Sequence, residues 1–382
     1  MTVEVLDFGC RLNIAEGAAI RMRLSGGAPQ VVINSCAVTG EAVRQARQAV
    51  RRSARERPGI PITVTGCAAI TDRAEFAAMP EVTHVTPKEV LRGDRPAVSD
   101  EGHARAFVEV QNGCDHDCTF CVTTIARGAS RSFDIDIVVD TIARAVKAGQ
   151  REVVLTGVDL TSYRPSLAAL ITAILRGVPA LPRLRLSSLD PAEIDDALFD
   201  LIAHEPRIMP HVHLSLQSGD PMVLKRMKRR HTREQAIALV ARLKAARPDI
   251  AIGADLIAGF PTETYAMHAN SRAIIDDCDI VFGHIFPYSP RLGTPAALMP
   301  QVAPAIAKAR AAELRAANAQ RRAVWLESLV GTTQRVLVER SGRRGHAANF
   351  ATVDLSATRA PGSIIEVRIG GTDGNTLTGD PA

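Results

Sequence analysis

The sequence predicts an α/β protein in three parts: a small parallel α/β domain, a partial (β/α)6 barrel and a small antiparallel β-barrel. Three observations predict it. Strand and helix patterns alternate from the start of the chain. Six β/α units follow, and each of their strands ends in polar residues or glycine. After Gly331 the pattern changes to short strands with glycine-rich breaks. With 382 residues, 46% of them hydrophobic, the chain is long enough for several cores. Aromatics make up only 4%, so Ala, Val, Leu and Ile must fill those cores.

The first part spans residues 1–95. Strand-like VEVLDF precedes a helical pattern from Asn13 to Leu24, then VVINS, the basic helix EAVRQARQAVRRSARER, PITVTG and a further short helix. Cys10, Cys36 and Cys67 follow the first, second and third strands. All three therefore fall at carboxyl ends of parallel strands, the edge where open α/β sheets build sites. Three buried core cysteines are the structural alternative. The stretch LRGDRPAVSDEGHAR then reads as a linker.

The second part spans residues 106–328. Apolar strands are read at FVEVQ, EVVLTG, RLRLSSL, HVHLSLQ, IAIGADLIAGF and IVFGHIF, with helices such as DIVVDTIARAVKAG between them. A partial barrel fits better than a doubly wound sheet, which is the alternative, and chemistry in such barrels lies at the carboxyl face. An Ala/Arg-rich helix over 303–329 closes this part. The third part, 329–382, has the size of small β-barrels that bind oligonucleotides, although packing against the barrel explains it equally.

The formal net charge of +5 permits a polyanionic partner without requiring one. No run of about 18 apolar residues is free of charge, so no membrane span is expected. The opening MTVEVLDFGC has no basic region followed by an apolar run, so a secretory signal is not expected and the cytoplasm is. Thiols stay reduced there, which makes the seven cysteines ligands, catalysts or core residues rather than disulfides.

The sharpest feature is CDHDCTFC, where Cys114, Cys118 and Cys121 have C-x3-C-x2-C spacing directly after the first barrel strand. A loop of this length can wrap three thiolates around one cubane. Iron–sulfur clusters usually take four thiolates, and three leave one iron open for a non-protein ligand. Structural zinc prefers four closed ligands, and the nearest candidate, His116, sits awkwardly between the cysteines. Later strand ends supply candidate cofactor contacts: Thr156, Gly157 and Asp159 after the second strand, Ser215 and Gln217 on the fourth, and Asp255 on the fifth.

C-x3-C-x-Φ-C, with Phe120 as the aromatic, resembles the radical S-adenosylmethionine signature. Further motifs make the resemblance more specific. DFGCRLN, INSCAVT and VTGCAA look like the three cysteine motifs of the radical S-adenosylmethionine methylthiotransferases. VQNGCDHDCTFCVTTIARG, HLSLQSG, DLIAGFPTET and FPYSPRLGTPAA match later motifs of that family, over nearly the whole chain. The resemblance implies two 4Fe–4S clusters, one on Cys10, Cys36 and Cys67 and one on Cys114, Cys118 and Cys121, with Cys278 left in the core. It implies S-adenosylmethionine as methyl donor and radical source, cleaved at the second cluster, and a TRAM-like C-terminal barrel. It implies as partners a tRNA anticodon stem-loop, a sulfur source, and an electron donor such as flavodoxin or ferredoxin.

NSCAVTGEAVRQARQAVRR looks most like the branch acting on threonylcarbamoyladenosine in tRNA. The alternatives are isopentenyladenosine in tRNA, an aspartate of a ribosomal protein, and a non-catalytic iron–sulfur protein that binds RNA. Asp7-Phe8 replaces the usual Thr-Leu, Ser35 the usual Thr, and Thr124-Ile125 the usual Pro-Tyr. None of these removes a ligand, but the last bears on the pocket beside the radical cluster. The basic helix from Arg44 to Arg57 offers a path for phosphates, with a solvated helix face as the alternative.

Overall fold

Valine and isoleucine runs in the first part form two central strands, Val31–Ser35 and Ile62–Gly66, buried on both faces, as a covered parallel sheet requires. The computed structural model describes residues 3–92, 96–99 and 104–381. Glu4–Asp7, Val31–Ser35, Ile62–Gly66 and His84–Val85 pair in that order, all parallel. Helix Arg11–Leu24 begins two residues earlier than the apolar pattern suggested. Helix Gly40–Glu56 buries Val43, Ala46, Ala49, Val50 and Ser53 along one stripe. The Thr39 hydroxyl caps it, accepting from the Ala42 amide at 3.2 Å.

Six parallel strands form the partial barrel in chain order: Ala106–Glu109, Glu152–Thr156, Arg183–Leu186, His211–Gln217, Ala251–Ala258 and Ile280–Pro287. Between the third and fourth, pairing is reduced to isolated bridges: Leu184 of the third with Ile208 ahead of the fourth, and Leu189 beyond the third with Leu214 of the fourth. Val98–Ser99 pairs antiparallel with Phe107 and Val108. The segment read as a linker therefore adds an edge strand, and its residues 93–95 and 100–103 lie outside the described ones.

The two faces of these strands do different work. Ala106 and Val108 join the main core beneath the outer helices. Phe107 and Val154 face the other way and pack on Ala15, with Ile14 and Ala19 beside it. The first helix of the N-terminal domain thus lies against the inward side of the barrel's first strands.

The inward side is also charged. Glu152 is fully buried and faces three guanidinium groups: Arg185 at 3.0 Å, Arg183 at 3.4 Å and Arg105 at 3.4 Å. Burial alone raises its pKa, but Arg185 and Arg105 bring it down to about 2. Arg183 and Arg185 also donate to the Arg335 and Ala348 carbonyls, which belong to the C-terminal domain.

Helix Pro304–Glu327 crosses from the last barrel strand to that domain. Its Asn318 accepts from the Gly283 amide at 3.0 Å and donates to the Ile280 carbonyl at 2.7 Å. Five strands, Thr333–Val338, Arg344–Ala347, Thr352–Leu355, Ile364–Thr372 and Leu377–Pro381, then close a barrel. All neighbours are antiparallel except the third and fifth, which are parallel. Phe350 projects from the turn between the second and third strands with φ +74°, a backbone region costly for a bulky residue. Its ring stacks on His346 and meets His211 and Phe282.

Among the described residues Glu152 is the one carboxylate paired with Arg183 and Arg185, so replacing it leaves buried charges uncompensated. Glu152→Gln should destabilise the protein by about 3–5 kcal/mol in denaturant unfolding. Wild-type stability in that variant would contradict the role assigned to this carboxylate.

Candidate active site between two facing sets of thiols

Cys10 directly precedes helix Arg11–Leu24, and Cys67 directly precedes the short helix Ala68–Thr71. Glycines bring the loops together. Gly9 has φ +94°, and a Cβ there would lie 2.7 Å from the Cys36 sulfur. Gly66 has φ +91°, and a Cβ there would lie 2.2 Å from the Ser35 carbonyl oxygen. Only glycine permits both the backbone turn and the close approach. The Cys67 amide donates to the Ser35 carbonyl at 3.0 Å, joining the second and third cysteine loops. Burial, then the neighbouring Cys10, push the Cys36 thiol up to about 11.

The second set sits at the carboxyl end of the barrel. Cys121 caps nothing but accepts from the Thr123 amide at 3.4 Å, and Cys114 accepts from the His116 amide at 3.4 Å. Burial pushes the Cys114 thiol up to about 12, and Cys121 and Cys118 add to the rise. Cys118 differs. Burial raises it, yet hydrogen bonding from His116 and the nearby Arg229 guanidinium, 3.5 Å away, bring it below its ordinary value. His116 lies 3.1 Å from Asp159 and 3.3 Å from Glu193, so its ring is held by carboxylates. Each set offers three soft sulfur donors on touching loops, and all are free thiols. That donor set fits an iron–sulfur cluster with an open iron better than it fits hard cations.

One residue joins the two sets. Arg127, six positions after Cys121, reaches back into the N-terminal domain. It donates to Glu16 at 3.0 and 3.1 Å, to Asn13 at 2.7 Å and to Asn112 at 3.0 Å. Lys88 pairs with the same Glu16 and donates to Asn13 at 3.0 Å. Burial pushes the Glu16 carboxyl up, and the Arg127 and Lys88 charges pull it well below its ordinary range. Burial lowers Arg127, but the nearby Cys67 and Glu16 more than reverse that. Two further contacts flank this bond: the Gly40 amide donates to Ser289 at 3.3 Å, and Arg291 pairs with Asp72 at 3.2 Å. The carboxyl edge of the first sheet therefore faces the carboxyl end of the barrel.

The remaining expected residues fall around this gap, in different states. Phe120 packs edge-on against Phe260. Asp159 is buried with an oxygen 3.8 Å from the Cys114 sulfur. The Thr156 hydroxyl is buried without a hydrogen-bond partner among the described residues. Gly157 is needed for packing, since a Cβ would stand 2.9 Å from the Gln111 amide oxygen. Ser215 and Gln217 point inward and are partly open. Asp255 is already engaged: it accepts from His213 at 3.1 Å and lies 3.3 Å from His284. The role of Arg127 beyond its motif, and Asn13, Glu16 and Lys88, were not singled out from the sequence. The one available signal was an acid within the apolar stretch LNIAEGAAI.

The Radical SAM superfamily matches residues 108–271, and the family described as Uncharacterized protein family UPF0004 matches residues 2–86. Among solved structures, the chain is similar to a radical S-adenosylmethionine methyltransferase, TsrM, from Kitasatospora setae. The TM-score is 0.53 at 16% identity, covering 71% of this chain and 64% of that one. It is also similar to the cobalamin-dependent S-adenosylmethionine radical enzyme OxsB, with TM-score 0.51 at 12% identity, over 82% of this chain and 56% of that one. At these identities the likeness is one of fold. Together with the thiol loop and the family match, it makes this chain a radical S-adenosylmethionine enzyme.

Sequence relatives narrow the class. The chain is 43% identical to "Threonylcarbamoyladenosine tRNA methylthiotransferase MtaB" of Rickettsia prowazekii, over 96% of this chain and 94% of that one. It is 33% identical to the protein of the same name from Bacillus subtilis, over 78% and 76%. It is 32% identical to "tRNA-2-methylthio-N(6)-dimethylallyladenosine synthase" of Agrobacterium fabrum, over 100% and 97%. The chain belongs to the radical S-adenosylmethionine methylthiotransferase family.

Because the two thiol sets lie on separate domains, Cys118→Ala should keep about half of the wild-type iron and sulfide after reconstitution. Loss of nearly all iron from that variant would show that the two sets do not load independently.

Proposed function

We propose that this chain attaches a methylthio group to threonylcarbamoyladenosine in tRNA, at C2 of the modified base 3′ of the anticodon. The observation that carries this is the near full-length 43% identity to the Rickettsia protein of that activity, against 32% for the Agrobacterium dimethylallyladenosine enzyme. Cys114, Cys118 and Cys121 would hold the radical-generating cluster, and Cys10, Cys36 and Cys67 the auxiliary one. When bound, these clusters supply reductive cleavage of S-adenosylmethionine and an iron that carries sulfur.

The chain's own residues then bind and orient. Asp159 offers a carboxylate beside Cys114 for the amino group of S-adenosylmethionine. The Thr156 hydroxyl, buried and unpaired among the described residues, offers a second contact. Phe120, Gly157, Ser215 and Gln217 would shape the walls around it. Asp255 would act there through His213 and His284, to which it is bonded. Arg127 and Glu16 fix the separation of the two thiol sets, so that one base can reach both.

The substrate reading fits an anticodon stem-loop, where single-stranded bases can be splayed into a site. Helix Gly40–Glu56 turns Arg44, Arg51, Arg52 and Arg55 to solvent. Arg44 is paired with Glu41 and Arg47 with Glu75, which leaves Arg51, Arg52 and Arg55 best suited to phosphates. The units 1–95, 106–328 and 329–382 would act as cluster, radical and TRAM-like RNA-binding parts. A low-potential donor such as flavodoxin or ferredoxin and a separate sulfur source complete the partners. No described helix is long and apolar enough to cross a membrane, and a cytoplasmic place accords with a tRNA substrate.

Mass spectrometry of tRNA nucleosides from cells with and without the gene tests the reading. The expected result is loss of 2-methylthio-threonylcarbamoyladenosine with accumulation of its precursor. Loss of the isopentenyl derivative instead would overturn the substrate. In reconstituted enzyme, Cys36→Ala should still cleave S-adenosylmethionine but yield no methylthio product. Product from that variant would refute the auxiliary role of the N-terminal set.

A further inference from the structure

Inward-facing side chains of the last three barrel strands are closed near the start of each strand and open toward its end. On His211–Gln217, His211 and His213 are buried while Ser215 and Gln217 are partly open. Asp255 and Ile257 are partly open on the next strand, and His284 and Phe286 are exposed on the last. Together they outline a chamber that opens toward the thiols and ends below at Phe350. His211 and His213, with ring centroids 6.5 Å apart, form one wall between the Phe350 ring, 5.0 Å from His211, and the His284 ring, 4.4 Å from His213.

The base of this chamber carries an excess of positive charge. Four guanidinium groups converge on it, those of Arg11, Arg105 and Arg185 stacking at 5.3, 5.5 and 4.8 Å from the Phe350 ring centre. Arg183 joins them through Glu152. Among the described residues two carboxylates answer, Glu152 and Glu339, and both are committed: Glu152 to Arg105, Arg183 and Arg185, and Glu339 to Arg105 and His346. Asp255, higher in the chamber, is held by His213 and His284. Among the described residues Arg11 alone of the four has neither a carboxylate partner nor a hydrogen bond. Arg11 is partly buried, and burial, Arg105 and Arg185 all disfavour its charge. Glu152 offsets this only in part, because that carboxylate is already shared by Arg105, Arg183 and Arg185. An anion bound there would offset these costs, and a planar fork suits a carboxylate.

Arg11 also directly follows Cys10, so the backbone that carries a thiol of the N-terminal set carries this guanidinium as well. We propose that a nucleobase presented to both thiol sets directs its N6 substituent into this chamber, and that Arg11 is the specificity-determining residue there, binding the carboxylate of an acidic N6 side chain and so selecting threonylcarbamoyladenosine over adenosines with neutral N6 groups. The proposal rests on the tRNA reading above and adds to it the group that distinguishes the substrates.

The test uses reconstituted full-length holoenzyme and two anticodon stem-loops. One carries threonylcarbamoyladenosine, the other its neutral threonine-amide analogue. Dissociation constants are read by fluorescence anisotropy, and kcat/KM by product mass. The wild type should favour the acid by about 10- to 100-fold, the worth of a charge-assisted hydrogen bond. Arg11→Gln should bring the two stem-loops near parity, and Arg11→Lys, which keeps the charge without the fork, should fall between. An Arg11→Gln enzyme with wild-type iron that still prefers the acid as strongly as the wild type would overturn the assignment. Equal affinity of the wild type itself for acid and amide would overturn it too, with no variant required. A wild type that modifies neither stem-loop, but does modify a third that carries isopentenyladenosine, would instead refute the tRNA substrate reading.

Discussion

The buried bond between Arg127 and Glu16 is the constraint from which the site follows. An ion pair out of water is stable only if both partners are fully satisfied. Here the surrounding donors and acceptors achieve that. Asn13 and Asn112 complete the guanidinium, while Lys88 and Asn112 complete the carboxylate. Glu16 lies one helical turn and a half beyond Cys10, and Arg127 follows Cys121 on the helix that leaves the radical loop. The bond therefore sets one thiol loop against the other. A hydrophobic contact could hold the domains together, but it would not fix their register as a forked, directional bond does.

The polar barrel interior obeys the same rule at its other end. A (β/α) barrel ordinarily fills its lumen with branched aliphatic side chains. This one places arginines there, and Glu152 makes that tolerable only because the C-terminal domain covers them. Carbonyls of Arg335 and Ala348 accept from Arg183 and Arg185, and the Phe350 ring lies against the guanidinium faces. The interior is thus neither a packed core nor an open pore. It is a charged chamber with a sealed floor.

Much of this architecture was legible in the sequence, and the reason is periodicity. Cysteine spacing in CDHDCTFC, three Gly-Cys or Ser-Cys strand ends and six apolar strands are local signals, and all three parts took the expected form. What remained hidden depends on contacts between distant segments. Glu16 and Arg127 are 111 residues apart, and nothing in either neighbourhood names the other. Asp255 sits at a strand end as expected, but cross-strand neighbours His213 and His284 claim its oxygens. Gly157 follows its strand as expected, yet the Gln111 side chain is what demands it. Val98–Ser99 was masked by a Pro- and Asp-rich surround that reads as loop, and pairing with Phe107 and Val108 overrides that composition.

Phe350 gives the last domain a second meaning. A terminal β-barrel joined by one long helix looks like a detachable accessory, available for exchange or loss during evolution. Yet its turn supplies the bottom of a chamber built by another domain, at the cost of a left-handed backbone. Any graft that preserved only the outer surface of this barrel would leave that opening to bulk water. Inheritance of the two units is thereby coupled: the chain can drift at the outer surface of its β-barrel, but its inner turn must evolve with the catalytic domain.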